Sequence, residues 1–224
     1  MIFNQLFDDK SSTYTYIISS GKGREALIID PVIEHTKKYI KILKDLELKL
    51  VKVIDTHIHA DHISGLNELN KQTECTRIMG EESESEVIDL RVKENEKVKI
   101  EGVELITLYT PGHTKCSYSY LMNDRVFTGD TLLINGSGRT DFQGGSAMEQ
   151  YDSIFNKLLK LPDKTLVYPA HDYNGKKFST VENERSNNPR LQVSSPDEYI
   201  QIMNNLKLPN PKTVSYTHLT LPTT

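Results

Sequence analysis

The sequence predicts a layered α/β sandwich, on three observations. Short β-rich runs occur in both halves of the 224-residue chain, helical patterns close each half, and clusters of histidine and aspartate sit directly after the strand-like runs. A chain of this length makes one large domain with a sizeable core. It carries no internal repeat at a solenoid period.

The elements follow in order. Residues 14–18 and 26–30 are β-rich, Gly21-Lys22-Gly23 forms the hairpin turn between them, and Asp30-Pro31 ends the second run. Tyr39, Ile40, Leu43 and Leu46 recur at helical spacing and predict an amphipathic helix over residues 35–46. Residues 50–54 read as a buried strand, with a helix beginning at Asp61 and His62 shortly after it. Residues 100–109 and 118–127 are strand-like. Met148, Tyr151, Phe155, Leu158 and Leu159 mark another helix, and residues 165–168 a further strand. Tyr199, Ile202, Met203 and Leu206 lie on one face of a helix opened by Ser195-Pro196-Asp197-Glu198. The domain is expected to span residues 1–213. The uncharged, aperiodic residues 214–224 are expected to be a disordered or non-native tail.

Composition narrows the function. The formal net charge is −4, with Lys and Arg interleaved with Asp and Glu, so no nucleic-acid footprint is expected. Lys37, Lys38 and Lys44 read as a solvated helix face, and residues 81–86 as an exposed acidic loop or helix start. No stretch approaches a membrane span. Cys75 and Cys116 are too few for a disulfide framework and read as free thiols. Residues 1–5 lack a basic stretch leading into an apolar core, so no secretory signal is expected, and the chain reads as cytoplasmic.

Five of the seven histidines fall in three short motifs: Thr56-His57-Ile58-His59-Ala60-Asp61-His62, Pro111-Gly112-His113-Thr114 with Gly129-Asp130 after it, and Pro169-Ala170-His171-Asp172-Tyr173. His57 and His59 are two apart on an extended segment and point to one side. The Thr110-Pro111-Gly112 turn fixes the backbone at His113, and Gly129 allows close approach beside Asp130. Alone, Asp130 reads as an ordinary turn carboxylate; beside the other motifs it reads as a ligand. Imidazoles and carboxylates at strand ends are the donors that hold a catalytic divalent metal with positions left open.

The pattern H-x-H-x-D-H, then His, then Asp, then His resembles the metallo-β-lactamase superfamily, from about Asn4 to about Pro211. That resemblance implies an αββα sandwich with the metal at the sheet edges, and leaves the reaction open. Gly129-Asp130-Thr131-Leu132-Leu133-Ile134, Gly138-Arg139-Thr140-Asp141-Phe142-Gln143, Pro169-Ala170-His171-Asp172-Tyr173-Asn174-Gly175 and Asn188-Pro189-Arg190-Leu191 are similar to the persulfide dioxygenase family. The family implies one iron(II) per chain, held by His57, His113 and Asp130 as a facial triad whose remaining positions admit O2 and a persulfide sulfur. It implies glutathione persulfide and O2 as substrates, and sulfite and glutathione as products. No residue is expected to act as a nucleophile or obligatory general base. His59, Asp61, His62 and His171 are expected to orient ligands and waters around the iron. Arg139, Tyr173 and Arg190 are candidates for gripping glutathione, with an Arg139–Asp141 ion pair as the structural alternative for Arg139. A separate rhodanese-like sulfurtransferase is the expected sulfur donor and a homodimer the expected assembly, with neither nucleic acid nor membrane as partner.

The same donors are also the full ligand set of a site holding two zinc ions. The alternative is therefore a thiolester hydrolase resembling glyoxalase II, in which a metal-bridging hydroxide attacks a glutathione thioester. Two features favour the dioxygenase: only about fifty residues follow His171, where the glyoxalase II-like enzymes carry a longer helical domain, and the 138–143 run fits the dioxygenases better. A metal-stabilised scaffold without catalysis is the third reading, which the intact motifs disfavour.

Overall fold

Two six-stranded sheets lie face to face with helices on both outer faces, in a computed structural model that describes residues 1–207. The expected tail, and the last residues of the expected domain, lie outside the described residues. The first sheet runs β1 (Ile2–Asp8), β2 (Thr13–Ser19), β3 (Glu25–Ile29), β4 (Lys49–Ile54), β5 (Thr76–Gly80) and β6 (Leu90–Val92) in sequential order. The second contains β7 (Lys97–Ile100), β8 (Val103–Tyr109), β9 (Tyr118–Leu121), β10 (Arg125–Gly129), β13 (Leu166–Pro169) and β14 (Ser179–Thr180), in the order β14-β13-β10-β9-β8-β7. Between β10 and β13 the chain forms a short ribbon, β11 (Leu132–Leu133) with β12 (Gly136–Ser137). The helices are α1 (Thr36–Asp45), α2 (Leu66–Thr73), α3 (Ala147–Tyr151), α4 (Val181–Asn187) and α5 (Pro196–Asn204). This is the expected αββα sandwich.

Side-chain alternation places each residue. Tyr16 and Ile18 of β2, Leu27 and Ile29 of β3 and Ile54 of β4 face the second sheet, where Leu105, Tyr120, Phe127 and Tyr168 meet them. Their neighbours Ile17, Ile28 and Val53 face outward onto Tyr39 and Leu43 of α1 and Leu66 and Leu69 of α2. The outer face of the second sheet, Val126 and Val167, packs on Ile154, Leu158, Val181, Tyr199 and Met203. Each large apolar side chain buried in these layers contributes about 1.5–3 kcal/mol.

Several boundaries differ from the sequence reading. Residues 100–109 are the end of β7, a turn at Glu101-Gly102 and β8, with Gly102 at φ +72°. Residues 118–127 likewise span the β9–β10 hairpin. Helix α2 starts at Leu66, so Asp61 and His62 lie in the preceding loop and not at a helix start. Helix α3 continues through a π-helical stretch (Asp152–Lys157) and a 3-10 turn (Leu158–Lys160), and Met148 faces outward. No helix among the described residues is long and apolar enough to cross a membrane.

At Gly80, the end of β5, the backbone of the first sheet lies directly against a side chain of the second. A Cβ there would lie 2.2 Å from the ring of Tyr118, a buried residue of β9. Gly80→Ala is expected to destabilise the fold by about 1–3 kcal/mol. Thermal unfolding would read this as a loss of roughly 2–4 °C per kcal/mol, and an unchanged Tm would show that the ring moves freely aside.

Candidate metal centre

The ligand-bearing loops follow the C-terminal ends of β4, β8, β10 and β13, and backbone bonds within and between the sheets lock them together. Tyr118 N–H donates to the Thr56 carbonyl (2.9 Å), Ala170 N–H to the Gly129 carbonyl (2.9 Å), and Tyr14 N–H to the Ala170 carbonyl (2.7 Å). His57, His113 and Asp130 converge as expected: a donor atom of each lies within 4.8 Å of the others, and all three side chains are buried. The Asp130 Oδ2 lies 3.6 Å from His113 Nε2 and 4.0 Å from His57 Nε2.

Hydrogen bonding fixes both imidazoles in the form that binds a metal. His113 Nδ1 lies 2.8 Å from the Arg139 carbonyl, which can only accept, so Nδ1 carries the proton and Nε2 the lone pair. For His57 the same result passes through two residues. Asp30 accepts the backbone N–H of Thr56 (2.7 Å) and its hydroxyl proton (3.0 Å). With its proton committed, the Thr56 hydroxyl accepts from His57 Nδ1 at 2.9 Å, and His57 Nε2 is left as the donor. Burial and the neighbouring His59 and His113 push the His57 pKa far down, so the ring is neutral.

Glycines let the backbone close in on these ligands. A Cβ on Gly129, at φ +53°, would lie 2.7 Å from Thr56 Oγ1; one on Gly138 would lie 2.1 Å from the Asp130 carbonyl oxygen and 2.8 Å from His113 Nδ1.

A second group, His59, Asp61 and His62, lies beside the first with donor atoms also within 4.8 Å of one another. His59 Nδ1 and His62 Nε2 are buried with no hydrogen-bond partner among the described residues. His171 stands between the groups. Its Nδ1 donates to Asp130 Oδ1 (2.6 Å) and its Nε2 to Asp61 Oδ2 (2.8 Å). Burial opposes charge on His171, but Asp130 and Asp61 outweigh it and push its pKa well up. Burial likewise opposes charge on both carboxylates, yet His171 holds each well below its usual range, helped by His113 and His57 at Asp130 and by His62 at Asp61. His59 donates from Nε2 to Asp30 at 3.1 Å; burial works against its charge, Asp30 prevails, and its pKa rises to about 9.

The three candidate substrate contacts are placed differently from one another. Tyr173 is 71% exposed, with its ring parallel to that of His171 at 6.3 Å. Arg139 forms the ion pair with Asp141 (2.7 Å) that was the structural alternative for it. Arg190 turns its guanidinium to the carbonyl and hydroxyl of Ser137.

Sequence reasoning missed Asp30, which looked only like a strand terminator before Pro31. It also missed Thr13, whose hydroxyl lies 3.0 Å from His171 Nε2, and Gln150, which holds the Gly138 carbonyl at 3.1 Å. Asp30 did carry a signal: a carboxylate closing a run of buried aliphatic residues needs buried partners. Thr13 and Gln150 carried none.

Thr56→Val keeps the shape of the side chain and removes both of its hydrogen bonds. It is expected to weaken metal binding about 10–100-fold, with Thr56→Ser close to the parent. Competition against a chelator measures this, and equal affinities in Thr56→Val and the parent would remove Thr56 from the ligand relay.

The metallo-beta-lactamase superfamily matches this chain over residues 8–171. Mitochondrial persulfide dioxygenase ETHE1 of Mus musculus is 42% identical over 221 residues, covering 96% of this chain and 85% of that protein. The hydroxyacylglutathione hydrolase of Dictyostelium discoideum is 34% identical over 187 residues, covering 78% of this chain and 68% of its own. Among solved structures, ETHE1 from Myxococcus xanthus superposes with a TM-score of 0.94 at 45% identity, covering 97% of this chain and 96% of that one. Matched over residues 8–171 by the superfamily and over nearly its whole length by persulfide dioxygenases, the chain belongs to the metallo-β-lactamase superfamily and, within it, to the persulfide dioxygenase family.

Proposed function

We propose that this enzyme oxidises glutathione persulfide with O2 to sulfite and glutathione, at one iron(II) held by His57, His113 and Asp130. One persulfide, one O2 and one water give one glutathione, one sulfite dianion and two protons. The observation that carries this reading is the likeness of nearly the whole chain to a persulfide dioxygenase, 42% identical over 221 residues, with His57, His113 and Asp130 brought together in one group. His171 joins the carboxylates of the two donor groups, Asp130 through one nitrogen and Asp61 through the other.

Iron(II), when bound, supplies the redox chemistry by which O2 and an anionic sulfur react, which no side chain of this chain provides. The residues do the rest. Asp130 offers a carboxylate held anionic by three histidines, and its charge offsets part of the metal's. His57 and His113 offer lone pairs on Nε2 because Thr56 and the Arg139 carbonyl hold the Nδ1 protons. His171 keeps its protons directed at Asp130 and Asp61, so neither carboxylate turns away. Tyr173, exposed beside His171, and Arg139, braced by Asp141, are the groups that would meet the tripeptide. A cytoplasmic location, a separate sulfurtransferase as persulfide donor and a homodimer complete the proposal.

The hydroxyacylglutathione hydrolase reading draws on one observation, the second donor group at His59, Asp61 and His62. Oxygen separates the two. Turnover of glutathione persulfide should consume O2 in proportion to sulfite formed and stop under nitrogen, whereas thioester cleavage would proceed in either. Oxygen-independent thioester cleavage far faster than persulfide oxidation would establish the hydrolase. Asp130→Ala should lower iron affinity more than about 100-fold, beyond the range for residues that only orient ligands, with the fold kept. His171→Ala should be milder and leave the metal content at one per chain. A fall from two metals to one in that variant would place His171 in a second metal site.

A further inference from the structure

We infer that Arg190 and Tyr199 are positioning residues for the metal ligand His113, acting through the backbone of residues 136–139. This rests on the assignment of His57, His113 and Asp130 as metal ligands. It does not depend on which reaction they serve.

The Arg139 carbonyl decides which nitrogen of His113 faces the metal, so its position depends on the peptide planes that precede it. The β11–β12 ribbon that leads to it has only two register pairs, Leu132 with Ser137 and Leu133 with Gly136. So short a ribbon does not hold its own shape in water. Side chains hold it instead, one peptide group after another. The Gly136 carbonyl accepts from Asn188 Nδ2 (2.9 Å), the Ser137 carbonyl from Arg190 Nη1, the Gly138 carbonyl from Gln150 Nε2 (3.1 Å), and the Arg139 carbonyl from His113 itself. Tyr199 completes the set from α5, its hydroxyl 2.8 Å from Gln150 Oε1 and 3.1 Å from Ser137 Oγ.

Arg190 pairs with no carboxylate among the described residues, and its guanidinium is spent on a neutral carbonyl. A hydrogen bond from a charged donor is about twice as strong as a neutral one, which suits a strap on an otherwise weak ribbon. The ribbon also has no slack. The Gly138 N–H donates to the Asp130 carbonyl (2.8 Å), and any side chain at 138 would collide with both ligands. Movement at Ser137 therefore reaches His113 and Asp130 together.

The test uses the full chain with Arg190→Met, Arg190→Lys and Tyr199→Phe. Three quantities are measured: anaerobic Fe(II) affinity by chelator competition, the Tm of the metal-free protein, and KM for glutathione persulfide at saturating Fe(II). Arg190→Met and Tyr199→Phe should weaken Fe(II) binding about tenfold or more, as removal of groups behind a metal ligand does, and Arg190→Lys should recover most of it. KM should hold steady. In a His113→Ala background the Arg190→Met effect should shrink to within about twofold, because the two changes then act on one ligand. A lower Tm with Fe(II) affinity unchanged would make both residues merely structural. A raised KM with Fe(II) affinity unchanged would make Arg190 a substrate contact. Either result overturns the inference, as does an effect undiminished in the His113→Ala background. If His113→Ala alone left Fe(II) binding intact, the ligand assignment would fall and the inference with it. If Arg190→Met does not fold, Tyr199→Phe decides.

Discussion

The Asp30 carboxylate, buried at the end of β3, accepts from the Thr56 backbone, the Thr56 hydroxyl and His59, and the metal end is arranged around it. Its own N–H donates to the Ile54 carbonyl of β4 at 2.8 Å, so its position is set by the register of the sheet. The residue sits at φ +50°, a conformation that non-glycine residues rarely adopt and that structures keep where several contacts enforce it. Because Thr56 must donate to Asp30, it can only accept from His57. The lone pair of His57 therefore faces away from the core, toward Asp130 and His113. Without Asp30 the Thr56 amide would be left unsatisfied in the interior, at a cost of about 1–3 kcal/mol. Core packing thus determines a tautomer, and the tautomer leaves His57 Nε2 able to take a metal.

Around the candidate metal centre, buried charges are set opposite one another. Asp30 faces His59, and Asp61, His171 and Asp130 alternate in a row. A buried ion pair of this kind adds little net stability, but removing one partner strands the other and is strongly destabilising. This gives His59, Asp61 and His171 a reason to be present that needs no second metal. They hold the carboxylates and the buried nitrogens in place, and in doing so they fix Asp130 as an anion. The residues that a two-metal enzyme uses for ligation can in this way serve as the frame around the group His57, His113 and Asp130.

Legibility in the sequence followed local physics. The inner strands were readable because Tyr16, Ile18, Leu27 and Ile29 alternate with residues that are also buried, making dense β-branched runs between glycine turns. β1 was not, since its residues are only partly buried along an edge and show no clean alternation. The hairpins at Gly102 and at Asn123-Asp124 were read through, because strand residues on both sides hide a two-residue turn. At the site, His57 stood out through the H-x-H-x-D-H spacing, and His113 and Asp130 through the turn residues beside them. Asp30, Thr13 and Gln150 were not, since their roles come from contacts made across 12 to 158 positions of chain, from Gln150 to Gly138 up to Thr13 to His171. Arg190 was expected to grip glutathione, and the structure instead directs its guanidinium to the protein backbone at Ser137.

That placement bears on how one donor set serves different reactions. The superfamily match ends at residue 171, yet the chain from Glu184 to Tyr199 returns to the ribbon behind His113. Metal ligands that recur across hydrolases and oxygenases cannot by themselves select between them. What differs must lie in how firmly each ligand is held and in which tautomer and charge state, and these are properties of the groups behind it. In this chain those groups come from three sources: the sheet register at Asp30, the ion row through His171, and the C-terminal segment through Arg190 and Tyr199. The first two lie within the shared fold. The third comes from residues after the matched segment 8–171, and it acts on His113, whose orientation rests on a single carbonyl.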